Sequence, residues 1–179
     1  MISRLVLITP PTADPVSLDD AKAHLRVDTD DDDVYIQALI ESATAYLDAT
    51  GLYGRCMLPQ TWELHLIAAE SEIEIPLPPL ISVDSVTVGG VLSDAANYTV
   101  FPGGDMPSIL RWQGSGGGDV IVRFSAGYSG VVPANMLQYL LLIIAEAYEN
   151  RETSIRASSI NTNEFAERLL ISIKLPAIT

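Results

Sequence analysis

The stretch "LRVDTDDDDVYIQALIESA", Leu25 to Ala43, packs five aspartates into six positions and then turns apolar. As a cation loop it would open a metal protein; as a helix start it opens a bundle. An EF-hand loop beginning at Asp28 would place Asp30 and Asp32 correctly, but it needs glycine at position 33 and glutamate at position 39. The chain has Asp33 and Leu39 there, so the sharp turn and the bidentate ligand are both missing. Other loop-bound cation geometries stay open behind a simpler reading. Carboxylates at a helix N-terminus meet exposed N–H groups and the positive end of the macrodipole, a gain of roughly 0.3–1 kcal/mol each. Repulsion among them erodes part of it. Asp30 then serves as N-cap, and Ile36, Leu39, Ile40, Ala43, Tyr46 and Leu47 recur with helical period as a core face. Gly51 stops the helix.

Outward from this helix the chain divides into three zones. Upstream, "VSLDDAKAHLRV" starts with Ser17 and carries Asp20 three positions on, an S-x-x-D capping box, with Leu18, Ala21 and Leu25 along one face. Downstream, from about Leu58 to Val131, the pattern changes to short alternating runs: "QTWELHLIA", "EIEIPL", "SVDSVTVGG", "NYTVFP", "ILRWQG" and "DVIVRFSAGY". Pro-Pro, Gly-Gly and "GSGGG" interrupt them, which suits a small antiparallel unit of five or six strands. The third zone is helical again. Pro133 suits a first helical turn, and residues Met136 to Tyr148 are apolar nearly all the way round, so this helix must be surrounded by protein. A polar loop and a shorter helix with Phe165, Leu169 and Ile173 aligned complete the chain. The expected fold class is α+β, a helical bundle with an inserted small antiparallel β subdomain. The expected parts are 1–57 and 132–179 as helical, with 58–131 as the insertion.

Bulk composition narrows the function classes. A chain of 179 residues buries roughly 70% of its unfolded surface and needs no staples. Its single cysteine, Cys56, forms no internal disulfide, which points to a reducing compartment. The net charge of −13 opposes direct binding to a nucleic-acid backbone, while remaining compatible with a partner that presents a basic collar. Only 18% of residues are charged and the mean hydropathy is +0.26, so apolar surface is expected to be shared with other subunits. The opening run Leu5 to Ile8 is too short for a signal segment, and no window reaches the ~20 apolar residues of a membrane span.

No enzyme constellation assembles, and no cofactor or metal is expected. "GYSGV", Gly127 to Val131, misses the nucleophile elbow at its last position and lacks the surrounding strand–helix alternation. His24 and His65 lie in different zones, and Cys56 has no supporting histidine spacing. "GSGGGD", Gly114 to Asp119, lacks the Lys-Ser/Thr of a phosphate loop and is expected to be a hairpin loop. Trp62, Trp112 and Tyr98 could form a sugar-binding face, although core packing explains them equally well. Two readings from other classes therefore stand beside a structural one: a carbohydrate- or protein-binding β module on a helical stalk, and a metal-dependent enzyme using the aspartates.

"PVSLDDAKAHLRVDTDDDD", Pro15 to Asp33, resembles the opening of the head–tail connector (adaptor) family of long-tailed bacteriophages, prophages and gene transfer agents. "QTWEL", "PLPPLISVDSV", "VRFSAGY" and "VPANMLQYLLLIIAEAYENRE" continue the likeness in order as far as Glu152. Two places depart from it. Leu137 stands where the family often has a lysine or arginine, and "LLISIKLPAIT" matches the usual tail only loosely. The resemblance implies a structural protein of the virion head–tail junction, made in the bacterial host cytoplasm. It forms a ring, typically of twelve copies, beneath the portal protein. It extends the DNA channel and joins the head to the next connector or tail component. DNA passes without specific binding, and no catalysis, cofactor or membrane is implied.

On that reading three groups of residues are candidate sites. Met136, Leu137, Leu140, Leu141, Ile144 and Tyr148 form the candidate oligomer or partner interface. Arg151, Phe165, Leu169 and Ile173 belong to a candidate portal-docking tail. Asp30, Asp31, Asp32 and Asp33 are a candidate channel-facing acidic cluster, whose competing explanation is a solvated helix cap.

Overall fold

A computed structural model describes residues 3–114, 117–150 and 168–169. Among them are eight strands, three α-helices and one 3-10 turn, all strand pairs being antiparallel. The class is α+β, with helices and a small antiparallel β part. Two compact units emerge: residues 1–12 with 54–131, and residues 13–53 with 132–179.

The β unit holds two sheets. The first has the order β1-β2-β8-β4-β5, from β1 (Ser3–Thr9), β2 (Gln60–Leu66), β8 (Val120–Ala126), β4 (Leu80–Val88) and β5 (Val91–Leu92). The second has the order β3-β7-β6, from β3 (Glu72–Ile75), β7 (Ser108–Trp112) and β6 (Tyr98–Phe101). Two-residue periodicity builds the core. Trp62 faces Phe124, Leu64 faces Val122 and Leu66 faces Val120, and all six side chains are buried. In the smaller sheet Ile73, Ile75 and Leu110 are buried likewise.

β1 lies inside the span expected to be helical. Its run "RLVLIT" has the length and β-branched content of a strand, and it pairs Leu5 with Leu64 and Leu7 with Trp62. The strand count also exceeds the expected five or six, because β5 is only two residues long. Gly89 and Gly90, with φ of +56° and +80°, form a two-residue turn that folds β5 back onto β4. The segment containing "GSGGGD" is a crossover rather than a hairpin loop, since β7 and β8 belong to different sheets.

The helical unit contains α1 (Leu18–Leu25), α2 (Asp33–Leu47) and α3 (Ala134–Glu149), with α2 packed on both α1 and α3. The Ser17 hydroxyl caps α1: it accepts from the Asp20 N–H at 3.1 Å and donates to the Asp20 carboxylate at 2.6 Å. Arg26 turns the chain out of α1 in the left-handed conformation, φ +59°. On α2 the buried residues are Ile36, Ile40, Ala43 and Leu47, whereas Leu39 is half-buried and Tyr46 is 58% exposed. At ~100° per residue the four buried positions fall within about 60° of one another, and Leu39 and Tyr46 lie to one side of that stripe. After α2, Gly51 is held where a Cβ would come 2.4 Å from the Tyr46 carbonyl oxygen. The chain then places Tyr53, 1% exposed, so that its hydroxyl donates to the Met136 carbonyl at 3.2 Å.

Candidate assembly surfaces

The acidic loop between α1 and α2 is tied from below by one lysine. Lys22 Nζ lies 2.7 Å from Asp30 Oδ1 and 2.6 Å from Asp33 Oδ1. Hydrogen bonds to these two carboxylates push the Lys22 ammonium above its ordinary value, and the same lysine holds Asp30 below its own. Asp30 is therefore not the N-cap of α2. Asp32 occupies that position, with no side-chain cap, and its carboxylate accepts from the Tyr148 hydroxyl on α3 at 2.5 Å. Among the described residues, Asp31 alone of the four shows no lysine or tyrosine contact of this kind. Lys22 is the residue that reading the aspartates alone misses. Its signal was the spacing, one lysine eight residues before Asp30 on an otherwise acidic helix.

α3 divides its apolar residues between two environments. Met136, Leu140 and Ile144, spaced by four, are essentially fully buried within the helical unit. Leu137, Leu141 and Tyr148 are half-buried. Tyr148 stacks its ring 6.0 Å from that of Tyr35, tilted by 38°. The first three side chains thus form protomer core, and the second three keep part of their area exposed. Of the tail candidates, Arg151, Phe165 and Ile173 lie outside the described residues, while Leu169 is helical and half-buried.

The β unit presents a polar face, a cleft and a bare hairpin. On the polar face Arg123 grips Glu63 at 2.6 Å and His65 Nε2 lies 2.9 Å from the other Glu63 oxygen; the Arg123 contact chiefly holds Glu63 below its ordinary range. A cleft of about 380 Å³ opens between β1–β2 and β3, lined by Leu5, Leu64, Leu66, Ile73 and Pro76 with Glu70 and Glu74. At the β5 edge, Val91 and Leu92 are 70% and 69% exposed. Elsewhere Arg55, 8% exposed, donates to the Tyr128 hydroxyl at 3.3 Å, and that hydroxyl donates to Asp105 at 2.9 Å.

Cys56 is fully buried, and no three His, Cys, Asp or Glu side chains gather into a metal-holding group among the described residues. Gly127 of "GYSGV" serves packing, since a Cβ there would lie 2.2 Å from the Leu58 carbonyl oxygen. A sugar face built on Trp62 is overturned by burial: Trp62 is 7% exposed and its indole N–H donates to Gln60 at 3.1 Å. No helix among the described residues is long and apolar enough to cross a membrane.

Residues 15–89 match the family of phage gp6-like head–tail connector proteins. The match spans 75 of the 179 residues and takes in both helices α1 and α2 and strands β2 to β4. Three solved structures share the fold of this chain along nearly its whole length. A chain in the neck of an empty gene transfer agent particle, computed with C6 symmetry, is 21% identical with a TM-score of 0.69, covering 100% of this chain and 98% of that one. A chain in the virion of the native gene transfer agent particle is 17% identical with a TM-score of 0.70, covering 98% and 97%. A chain in the native neck computed with C12 symmetry is 19% identical with a TM-score of 0.65, covering 99% and 98%. No curated protein matches the chain. The family matched by residues 15–89 is one of structural phage connectors and is not an enzyme class.

Proposed function

We propose that this protein is a head–tail connector that works as a ring, of about twelve copies, at the head–tail junction of a phage or phage-like particle. It sits beneath the portal protein, prolongs the DNA channel and offers its far side to the next head-completion or tail component. The observation that carries this reading is the shared fold, nearly end to end, with chains of gene-transfer-agent necks described with sixfold and twelvefold symmetry. A ring repeats one heterologous contact, so each subunit needs two different matching faces. The half-buried flank of α3, Leu137, Leu141 and Tyr148, is one candidate contact, braced from inside by Met136, Leu140 and Ile144. The segment from Arg151 onward is the candidate portal-docking arm, with Phe165, Leu169 and Ile173 as its apolar anchors. Truncation before Arg151 then abolishes portal binding while leaving the β unit folded.

The test is molar mass by size-exclusion chromatography with light scattering, on the protein alone and mixed with its cognate portal ring. Co-migration of many copies per portal is the expected result. A protein that stays monomeric beside an assembled portal overturns the reading.

A further inference from the structure

We propose that the β4–β5 hairpin of one copy seats in the β1–β2/β3 cleft of the next copy around the ring. This rests on the ring reading above and names the contact that closes it. The strand order β1-β2-β8-β4-β5 puts hairpin and cleft at opposite edges of one sheet, as a head-to-tail contact requires. The two shapes correspond. Neighbouring residues of a strand point to opposite faces, so the exposure of both Val91 (70%) and Leu92 (69%) leaves the hairpin end bare on both sides. The cleft, about 380 Å³, is floored by the largely buried Leu64 and Leu66 of one sheet and Ile73 of the other, with Leu5 and Pro76 beside them.

Charge selects the same occupant. A subunit of net charge −13 meets its own copy against general repulsion. Residues 85–93, "SVTVGGVLS", carry no charge, so this segment reaches the Glu70 and Glu74 rim of the cleft without setting carboxylate against carboxylate. The turn holds the knob ready, because Gly89 and Gly90 both sit at positive φ and fix the return of β5.

The experiment assembles full-length protein on its cognate portal ring and compares wild type with Leu92→Asp and with the pair Leu92→Cys/Glu74→Cys. Leu92 and Glu74 are exposed, so these variants keep the fold. Expected is a loss of ring yield of more than about tenfold for Leu92→Asp. On oxidation the double cysteine variant gives a ladder of covalent oligomers that neither single variant gives. Wild-type yield from Leu92→Asp, or no ladder, overturns the seating and leaves the ring reading standing. A ladder from Glu74→Cys with Ile173→Cys instead assigns the cleft to the tail and also overturns it. A wild type that forms no ring on the portal removes the ring reading and this contact with it.

Discussion

Two substitutions on α3, three residues apart, separate core from contact surface. Ile144 is fully buried, so Ile144→Asp removes a side chain whose burial stabilises by roughly 1.5–3 kcal/mol. It also forces a carboxyl group into the apolar interior, costing about 2–7 kcal/mol more. The sum reaches the ~5–15 kcal/mol stability of a typical domain, so the helical unit should unfold. Leu141 is half-buried and its neighbourhood opens to water. Leu141→Asp forfeits about 1 kcal/mol of burial, and its carboxylate stays solvated. For a chain of this size that lowers the melting temperature by ~2–4 °C. Thermal melts followed by circular dichroism measure the first effect, and light scattering with the portal ring measures assembly. The expected pattern is an unfolded Ile144→Asp and a folded Leu141→Asp that no longer assembles. A cooperative Ile144→Asp melt near wild type would refute the burial argument. Full assembly by Leu141→Asp would remove the α3 flank from the contact surface.

Four further outcomes are expected. Lys22→Met lowers the melting temperature by freeing Asp30 and Asp33, and its effect depends on pH. The lysine is raised above its ordinary 10.5 and Asp30 is lowered below 3.8, so their mutual stabilisation is present between those values. It fades as pH falls below 3.8 or rises above 10.5, and an equal melting difference at pH 3 and pH 7 would contradict the pairing. Tyr148→Phe loses the short bond to Asp32 and costs about 1.5–3 kcal/mol in denaturant titration, the range for a hydrogen bond to a charged group. Gly127→Ala meets the Leu58 carbonyl at 2.2 Å with φ +128°, so its expression as soluble folded protein falls sharply; a melt within a degree of wild type would show the loop gives way. Ring assembly strengthens on raising salt from about 0.05 to 0.5 M, because screening weakens repulsion among acidic subunits more than it weakens an apolar contact; weakening with salt would point to a contact made of ion pairs.

The parts legible in the sequence are those where one local rule acts alone. Ser17 with Asp20 marked the start of α1, and alternation in residues 60–66 and 120–126 marked the two central strands. The core stripe of α2 was readable to within its flank, where Leu39 and Tyr46 carry the right residue type at the wrong angle. Three features depended on partners distant in sequence. β1 is a strand because Trp62 and Leu64 lie some sixty residues on to receive it. Asp30 is not a cap because Lys22, eight residues back, takes its carboxylate. α3 is apolar all round, so no periodicity could say that Met136, Leu140 and Ile144 face inward; the helices it meets decide that. β5 escaped because glycines usually signal interruption, whereas two in succession at positive φ return the chain.

The aspartate cluster shows how such pairing limits a functional idea. Four carboxylates in a row suggest a wall that repels DNA along a channel. Their charge in place is smaller than their number. Lys22 offsets one of the four through Asp30 and Asp33, and Tyr148 hydrogen-bonds Asp32. Asp31 keeps its full field toward water, and Asp30 is 89% exposed even while paired. A repelling surface needs outward charge rather than strong helix capping, so Asp30 and Asp31 carry whatever lumen role exists, while Asp32 and Asp33 belong to the folding of α2 against its neighbours. Asn at 30 and 31 should therefore leave stability nearly intact apart from the lost Lys22 contact, and any effect on DNA packaging should appear there. The same change at 32 and 33 should act on the fold first, and a packaging defect in that variant says nothing about the channel.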